Sequence, residues 1–148
     1  MGLKWSMLMS SDLEYHSFTP LSNLVVGMKN PPSTLYYKGN LSLLDRPKIA
    51  IVGSRKPINY TKTQTYHIAK ELSSVGLCVI SGGAMGVDAL AHQGAGVSNT
   101  IMVAGTGLDK RYPSINASLI EAIENEGLVL SQFETTSPSF KWNFPLRN

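Results

Sequence analysis

The sequence has few of the residues that form covalent cross-links or bind metals. Its 148 residues include one cysteine, Cys78, which excludes an intrachain disulfide. That cysteine lies in the apolar run LCVIS, so we expect a buried thiol. The three histidines, His16, His67 and His92, are too scattered to predict a metal site, and we expect neither a metal nor a cofactor.

Long hydrophobic runs and strong charge are also missing. No apolar run approaches the roughly 18 residues of a membrane span, so we expect no membrane partner. The single cysteine suits a reducing cytoplasm. Charged residues make up 16% of the chain, and 13 Lys and Arg against 10 Asp and Glu give a net charge of +3. This small excess permits an anionic partner without requiring one.

The usual catalytic motifs are weak or missing. There is no Walker A lysine pattern, and GSRKPI after the first apolar run has one glycine, which excludes a GxGxxG fingerprint there. Asp88 and His92 stand four residues apart and could face each other on a helix. We favour the alternative that Asp88 accepts hydrogen bonds from donors near the preceding loop and that His92 is a partly buried helix residue. We therefore do not expect an enzyme.

The pattern of apolar residues predicts an α/β fold. Four short apolar runs, at 48–54, 77–81, 100–105 and 128–131, have the form of strands buried on both faces. Amphipathic segments between them predict helices at 61–75, 87–95 and 117–126. Strands alternating with helices indicate a Rossmann-like, doubly wound, mainly parallel sheet.

The predicted helices have recognisable ends. Gly76 follows the first helix as its stop, while Asn116 is the expected N-cap and Gly127 the stop of the third. The first helix should direct one set of side chains inward: Thr65, Ile68, Ala69, Leu72 and Val75.

The first 47 residues have a mixed character. The adjacent prolines of NPPS forbid a helix through them, and LYYKG is predicted as a short extended segment that turns at Gly39. We expect 1–47 to be a lead-in segment that packs on a domain formed by 48–148.

Small and polar residues follow the predicted strands. Parallel sheets bind ligands outside the carboxyl ends of their strands, where glycines admit a ligand and helix N-termini favour a phosphate. The alternative is that each glycine serves only a tight turn. The residues at these ends are Gly53, Ser54 and Arg55, then Ser81, Gly82, Gly83 and Ala84, then 105–109, and Ser131.

Cations and aromatic rings add to this picture. Arg55 follows the first strand, where a guanidinium can hold a phosphate with two bonds, although it could also be a solvated surface arginine. Basic residues interleaved with rings are typical of a single-stranded nucleic acid site, and the alternative is an aromatic cluster that covers a sheet edge. The residues concerned are Lys110, Arg111, Lys141 and Arg147, with the rings of Phe140, Trp142 and Phe144.

Four segments carry a resemblance to a known family. They are IAIVGSR at 49–55, SGGAMGVDALAH at 81–92, TGLDKRYPSIN at 106–116 and FPLRN at 144–148. In order and spacing they resemble the DNA-processing protein A family, also called DprA or Smf, and the similarity covers about residues 35–148. The resemblance implies a Rossmann-like domain without established catalytic activity. It also implies binding of single-stranded DNA, a homodimer, and loading of the RecA recombinase during natural transformation.

The resemblance further implies a set of site residues. Arg55 would contact DNA phosphates, the loop 81–86 would line the same pocket, and Lys141 and Phe144 match a lysine and an aromatic of some members. The residues expected to bind DNA are therefore Gly53, Ser54, Arg55, Ser81, Gly82, Gly83, Lys110, Arg111, Lys141, Phe144, Arg147 and Asn148.

The chain also departs from the family pattern. Many members have a Leu or Met where Gly83 stands, a change that leaves the loop chemistry intact. Some members have a basic residue where Ser114 follows the Tyr–Pro pair, so either Lys110 or Arg111 takes that role or no residue does. Members continue beyond the final motif, so we expect an incomplete sheet in which 128–131 lacks a neighbour.

Two other readings compete with a DNA-binding protein. One is a nucleotide-binding enzyme or sensor on the same fold, like the phosphoribohydrolases, whose PGGxGTxxE pattern contains a catalytic glutamate. SGGAMG lacks both the proline and the Thr–Glu pair of that pattern. The other is a structural or interaction role without DNA affinity.

Overall fold

The computed structural model describes residues 15–19, 26–135, 141 and 143–147, in which strands and helices alternate. The strands are β1 (His16–Phe18), β2 (Leu35–Gly39), β3 (Lys48–Ala50), β4 (Cys78–Ser81), β5 (Thr100–Val103) and β6 (Leu128–Ser131). The helices are α1 (Asn59–Ser74), α2 (Val87–Ala95), α3 (Ala117–Glu126) and α4 (Asn143–Arg147). Short 3-10 turns cover Leu41–Asp45, Val97–Asn99 and Ser114–Asn116.

The described strands form one six-stranded sheet in the order β1-β2-β6-β5-β4-β3. Strands β3, β4, β5 and β6 run parallel to one another, while β2 pairs antiparallel with both β6 and β1. The mixed α/β class with a mainly parallel sheet is confirmed. The extended segment LYYKG is confirmed as β2, and a backbone bond from Asn40 N to Gly127 O of 2.7 Å holds the turn that follows it.

Strand β6 is an interior strand, and our expectation that it lacks a neighbour is wrong. Strand β2 pairs with it along its whole length, from Tyr36 opposite Ser131 to Gly39 opposite Leu128. All four residues of β6 are buried. The antiparallel partner comes from a segment far away in the sequence, so no local pattern in LVLS announces it.

Strand β3 is an exposed edge strand, where we expected a strand buried on both faces. The strand covers only Lys48–Ala50, and each of its residues is exposed. One more ladder bond runs from Ile51 N to Ile80 O, at 3.0 Å, and then the chain leaves the sheet with Val52 69% exposed. The strand lies at an edge of the sheet, with β4 as its one neighbour among the described residues, and none of its three residues belongs to a buried hydrophobic cluster.

The three longer helices pack on one face of the sheet. Ala69 of α1 and Ala91 of α2 pack against Val79, while Ile120 and Ile123 of α3 pack with other residues of this face, Met102 and Val129. The register places Val79, Met102 and Val129 on the same side of the sheet. The opposite face carries Leu43 of the first 3-10 turn, which packs with Cys78, Ile101 and Leu128. The buried thiol of Cys78 is confirmed.

Helix α1 buries a narrower face than the sequence predicts. Thr65 and Ala69 are buried as expected, but Ile68 and Val75 are 51% and 74% exposed, so their predicted inward orientation is wrong. The cause is the close packing of α1 on α2: a Cβ on Gly94 would collide with the carbonyl oxygen of Tyr66, so the helices meet along a strip of small residues.

The two predicted glycine stops agree with the structure. Gly76 follows α1 with φ +91, which confirms its role as the stop, and α3 ends before Gly127 as predicted. Helices α2 and α3 have the predicted bounds, whereas α1 begins two residues earlier than 61, at Asn59. None of the helices in the described ranges is both long and apolar enough to cross a membrane.

Candidate functional site

A cleft lies at the carboxyl ends of the parallel strands, where the sequence predicts the site. The structure brings together four of the predicted residues there, Arg55, Gly82, Phe144 and Arg147. Ala84 and Met85 also line it, and both belong to the loop 81–86 that the resemblance places in the pocket. Tyr112 and Pro113, which were not predicted as ligand contacts, complete the lining.

The loop after β3 presents Arg55 to solvent. The backbone of this loop is fixed by Ser54, whose carbonyl oxygen accepts from Val87 N and whose Oγ accepts from Lys56 N, both at 3.0 Å. Gly53, Ser54 and Arg55 are themselves exposed. Within the described ranges the Arg55 guanidinium has no hydrogen bond or ion pair, so it can offer its full bonding capacity to an anion.

The loop after β4 is held from within the protein. The buried carboxylate of Asp88 accepts from Gly82 N at 3.1 Å and from Ala84 N at 3.3 Å, as we expected of Asp88. Asn116 Nδ2 donates to the carbonyl oxygens of Gly83 and Ala84, at 3.1 and 3.2 Å. The amides of Gly82 and Ala84 are therefore already bonded, and they are not free donors for a phosphate.

Asn116 has a different role from the one the sequence predicts. It occupies the N-cap position of α3, but its side chain makes no capping hydrogen bond. Its amide instead ties the start of α3 to the loop after β4. An Asn at a helix start is the usual sign of a cap, so this long-range contact had no signal in the sequence.

Two further residues of the loop after β4 face inward. The buried Ser81 hydroxyl donates to the carbonyl oxygen of Ile51 at 2.6 Å, which joins β4 to the segment that follows β3. Gly83 has φ +75, and a Cβ there would lie 2.7 Å from the Met102 Sδ. Both residues fix the shape of the loop and do not line the cleft.

Arg147 of α4 lies over Gly82. Its Nη1 donates to the carbonyl oxygen of Gly82 at 3.0 Å, and a Cβ on Gly82 would lie 2.7 Å from the Arg147 Cζ. Burial lowers the pKa of the Arg147 guanidinium, Asp88 raises it and Arg55 lowers it. The two arginines are thus close enough to repel each other, and an anion between them would relieve that repulsion.

Phe144 fills the space over a second glycine. A Cβ on Gly105 would lie 2.6 Å from the Phe144 Cδ1, while the Arg147 Cζ lies 5.7 Å from the Phe144 ring centroid. We expected the strand-end glycines to admit a ligand. At Gly82 and Gly105 the side chains that occupy this space are Arg147 and Phe144 of the chain itself.

Other predicted residues lie away from the cleft lining. Arg111 donates from Nη2 to Glu124 Oε2 at 2.8 Å and lies 3.7 Å from Glu121 Oε1, so two carboxylates offset its charge. The hydrogen bond with Glu124 raises the pKa of Arg111. Lys110 and Lys141 are exposed. Asn148, Phe140 and Trp142 lie outside the described residues.

His92 is completely buried, more deeply than predicted. Its Nδ1 lies 2.6 Å from Thr100 Oγ1, and the Thr100 hydroxyl donates to the carbonyl oxygen of Val79. Burial lowers the pKa of His92 to about 4, so the ring is neutral at neutral pH. In the described part of the chain no three His, Cys, Asp or Glu side chains are grouped to hold a metal ion.

The sequence is similar to proteins that process DNA. The family model of the DNA recombination-mediator protein A matches residues 6–148. Protein Smf of Synechocystis sp. is 41% identical over 125 residues, which are 80% of this chain and 31% of that protein. The DNA processing protein DprA of Streptococcus pneumoniae is 41% identical over 119 residues, which are 79% of this chain and 42% of that protein.

Two solved structures are similar to the fold. DNA processing protein A from Helicobacter pylori, solved for its single-stranded DNA binding mode, has a TM-score of 0.87 and 38% identity, over 94% of this chain and 65% of that one. DprA from Streptococcus pneumoniae has a TM-score of 0.73 and 41% identity, over 78% of this chain and 41% of that one. The chain thus spans less than half the length of the two curated relatives.

Proposed function

The chain belongs to the DNA recombination-mediator protein A family, and from this premise we propose that its cleft binds single-stranded DNA without reading the base sequence. The observation that supports this most directly is the convergence of two arginines, one exposed and one half-buried, on a cleft that also contains aromatic rings. Cations bind the backbone phosphates of a single strand, and rings stack on its bases. The Helicobacter pylori relative was solved for its single-stranded DNA binding mode, which agrees with this proposal.

In the proposed site, Arg55 makes the main phosphate contact. Its side chain is exposed and its backbone is fixed by the bonds of Ser54, so little backbone ordering accompanies binding. A guanidinium can bind two phosphate oxygens at once. Because the amides of Gly82 and Ala84 are bonded to Asp88, the side-chain cations supply the attraction.

Arg147 and Lys141 extend the positive charge in this proposal. Arg147 is held over Gly82 and close to Arg55, so it presents a preset charge to the strand. Lys141 is exposed and lies just before α4, from which it can reach the next phosphate. Phe144 would contribute ring surface for a base between these two cations.

The wider roles that we propose rest on family membership. They are protection of incoming DNA, help in loading RecA during transformation and recombination, a homodimer, a cytoplasmic location and no catalytic activity. We also propose that 1–47 is a lead-in that packs on the domain 48–148, to whose sheet it adds β1 and β2 beside β6.

Fluorescence polarisation with labelled oligo-dT and a labelled mononucleotide tests the proposal. We expect the oligonucleotide to bind much more tightly than the mononucleotide, because a strand brings several phosphates and bases to the cleft and a mononucleotide brings one of each. Arg55→Ala should weaken oligonucleotide binding, and the exposed helix cation Lys70→Ala is the matched control. Equal or tighter binding of the mononucleotide would contradict the proposal and favour a nucleotide sensor.

A further inference from the structure

Tyr112 is the most exposed aromatic ring of the cleft. It lies in the loop between β5 and α3, and its side chain is 51% exposed. It lines the cleft together with Arg55 and Arg147. Its ring centroid lies 5.4 Å from that of Phe144, and the two ring planes are inclined by 40°. The two rings therefore form one continuous aromatic surface.

Phe144 is the enclosed member of this pair. The Arg147 guanidinium lies near its ring, and the ring edge is against Gly105. Tyr112 covers part of the remaining surface. Much of the Phe144 ring thus contacts the protein itself, so a ligand that enters the cleft meets more of the Tyr112 ring than of the Phe144 ring.

We propose that Tyr112 stacks on a base of the bound strand, with Phe144 as its support. This inference rests on the proposed function, because it names the ring that meets a base once Arg55 holds a phosphate. Every base has a π face, so stacking on Tyr112 adds affinity without selecting a sequence. The ring contributes affinity through its face, and the phenol hydroxyl is not needed for that contact.

A comparison of two oligonucleotides isolates the stacking contribution. Oligo-dT and an abasic oligomer of the same length share the phosphates but differ in the bases. For the wild-type chain we expect oligo-dT to bind about 5- to 100-fold more tightly than the abasic oligomer. Tyr112→Ala should reduce this ratio at least several-fold and leave affinity for the abasic oligomer unchanged, whereas Arg55→Ala should weaken binding of both.

Three further variants complete the test. Tyr112→Phe keeps the ring and should retain the wild-type ratio, while Tyr112→Leu keeps apolar bulk without a ring and should lose as much as Tyr112→Ala. Tyr66→Ala removes another exposed tyrosine, on α1 and outside the cleft lining, and should change nothing. A thermal melt of each variant shows that it is folded.

The possible failures are distinguishable. If wild-type protein binds oligo-dT but Tyr112→Ala and Tyr112→Leu keep the full ratio, the Tyr112 inference is wrong and the proposed function stands. If the abasic oligomer loses affinity as much as oligo-dT in Tyr112→Ala, Tyr112 shapes the cleft and does not stack. If wild-type protein binds neither oligomer, the proposed function fails and the inference fails with it.

Discussion

The loops after β3 and β4 lie side by side at the same edge of the sheet, yet they are built in opposite ways. The loop at 53–55 is exposed, and its arginine has no hydrogen bond or ion pair in the described ranges. The loop at 81–86 is tied by Asp88, Asn116 and Arg147. Both are glycine-bearing loops that precede a helix, and the sequence alone does not tell them apart.

The difference in internal hydrogen bonding distinguishes residues that fix the shape of the site from residues that can bind a ligand. Where the chain satisfies its own polar groups, as at Gly82 and Ala84, few donors are left for a phosphate. Where only the backbone is fixed, as at Ser54, the side chain of the following residue, Arg55, remains available to bind an anion. A glycine-rich loop is therefore not by itself a phosphate site, and the partner of each amide decides its role.

The largest expected effect comes from Gly86, where the two loops touch. Gly86 has φ +82, and a Cβ there would lie 2.8 Å from the Arg55 carbonyl carbon and would also collide with the carbonyl oxygen of Ser54. Gly86→Ala should lower the free energy of unfolding by about 2–5 kcal/mol, from backbone strain and from the collision. Denaturant unfolding measures the loss.

Gly76→Ala is the matched control for that variant. Gly76 has φ +91 but nothing within 4 Å of its Cβ position, so it carries the strain without the collision. It should cost about 1–2 kcal/mol. Equal losses in the two variants would show that the contact between the loops adds nothing.

The next largest effect is a pH dependence of the free energy of unfolding, which arises from the buried His92. Its folded pKa of about 4 lies below the unfolded value of 6.5, so between these values the unfolded chain binds the proton. The contribution of His92 to the free energy of unfolding is therefore fully present above pH 6.5. It is lost as the pH falls towards 4, and the total loss is about 3 kcal/mol. Unfolding titrations between pH 7 and pH 4 measure it.

Two variants isolate this histidine from other acid effects. His92→Gln should remove the His92 contribution to the fall in the free energy of unfolding between pH 6.5 and 4, whatever the stability of the variant at pH 7. His67→Gln, at an exposed histidine, should keep it. A pH profile of His92→Gln that is parallel to that of the wild-type protein would contradict the neutral buried ring.

Removal of the Arg55 side chain should weaken DNA binding without a large effect on stability, because within the described ranges this side chain makes no hydrogen bond or ion pair that holds its loop. A charged hydrogen bond is worth about 1.5–3 kcal/mol, so Arg55→Ala should weaken oligo-dT binding about 10- to 150-fold. Its melting temperature should stay within a few degrees of the wild-type value, because the side chain is exposed. Isothermal titration with Arg55→Ala and Lys70→Ala in parallel provides the measurement, and unchanged affinity in Arg55→Ala would place the DNA site elsewhere.

The smallest effect is expected at Arg111. Glu124 and Glu121 already offset its charge, so Arg111→Ala should change oligo-dT affinity less than about 3-fold. The loss of stability should be at most about 1 kcal/mol, as for other surface ion pairs. Polarisation titrations and a melt suffice for this test, and a loss as large as that of Arg55→Ala would place Arg111 in the binding site.

The sequence predicted those parts of the fold that depend on local patterns. The strands near 77–81 and 100–105, the bounds of α2 and α3, and the buried Cys78 follow from apolar periodicity and helix stops. The pairing of β2 with β6 did not follow, because the partner of a strand is set by tertiary packing. For the same reason the outward direction of Ile68 could not be predicted.

The candidate site was predicted in its position but not in its internal contacts. Strand ends and the Gly–Ser–Arg segment indicated the edge of the sheet where the cleft lies. The bonds of Arg147 to Gly82 and of Asn116 to Gly83 join residues that are distant in the sequence, so no spacing rule announces them. Tyr112 had one signal, its place in the TGLDKRYPSIN segment, but nothing there marked it as exposed.

The salt dependence of oligo-dT binding, measured for the wild-type chain and for Arg55→Ala, tests most directly whether the exposed arginine binds a phosphate. Each phosphate neutralised on a single strand contributes a slope of about −0.7 to log K against log salt. With three or four contacts we expect a slope of about −2 to −3 for the wild-type chain, and one shallower by about 0.7 for Arg55→Ala. A flat response, or an unchanged slope in the variant, would contradict the account.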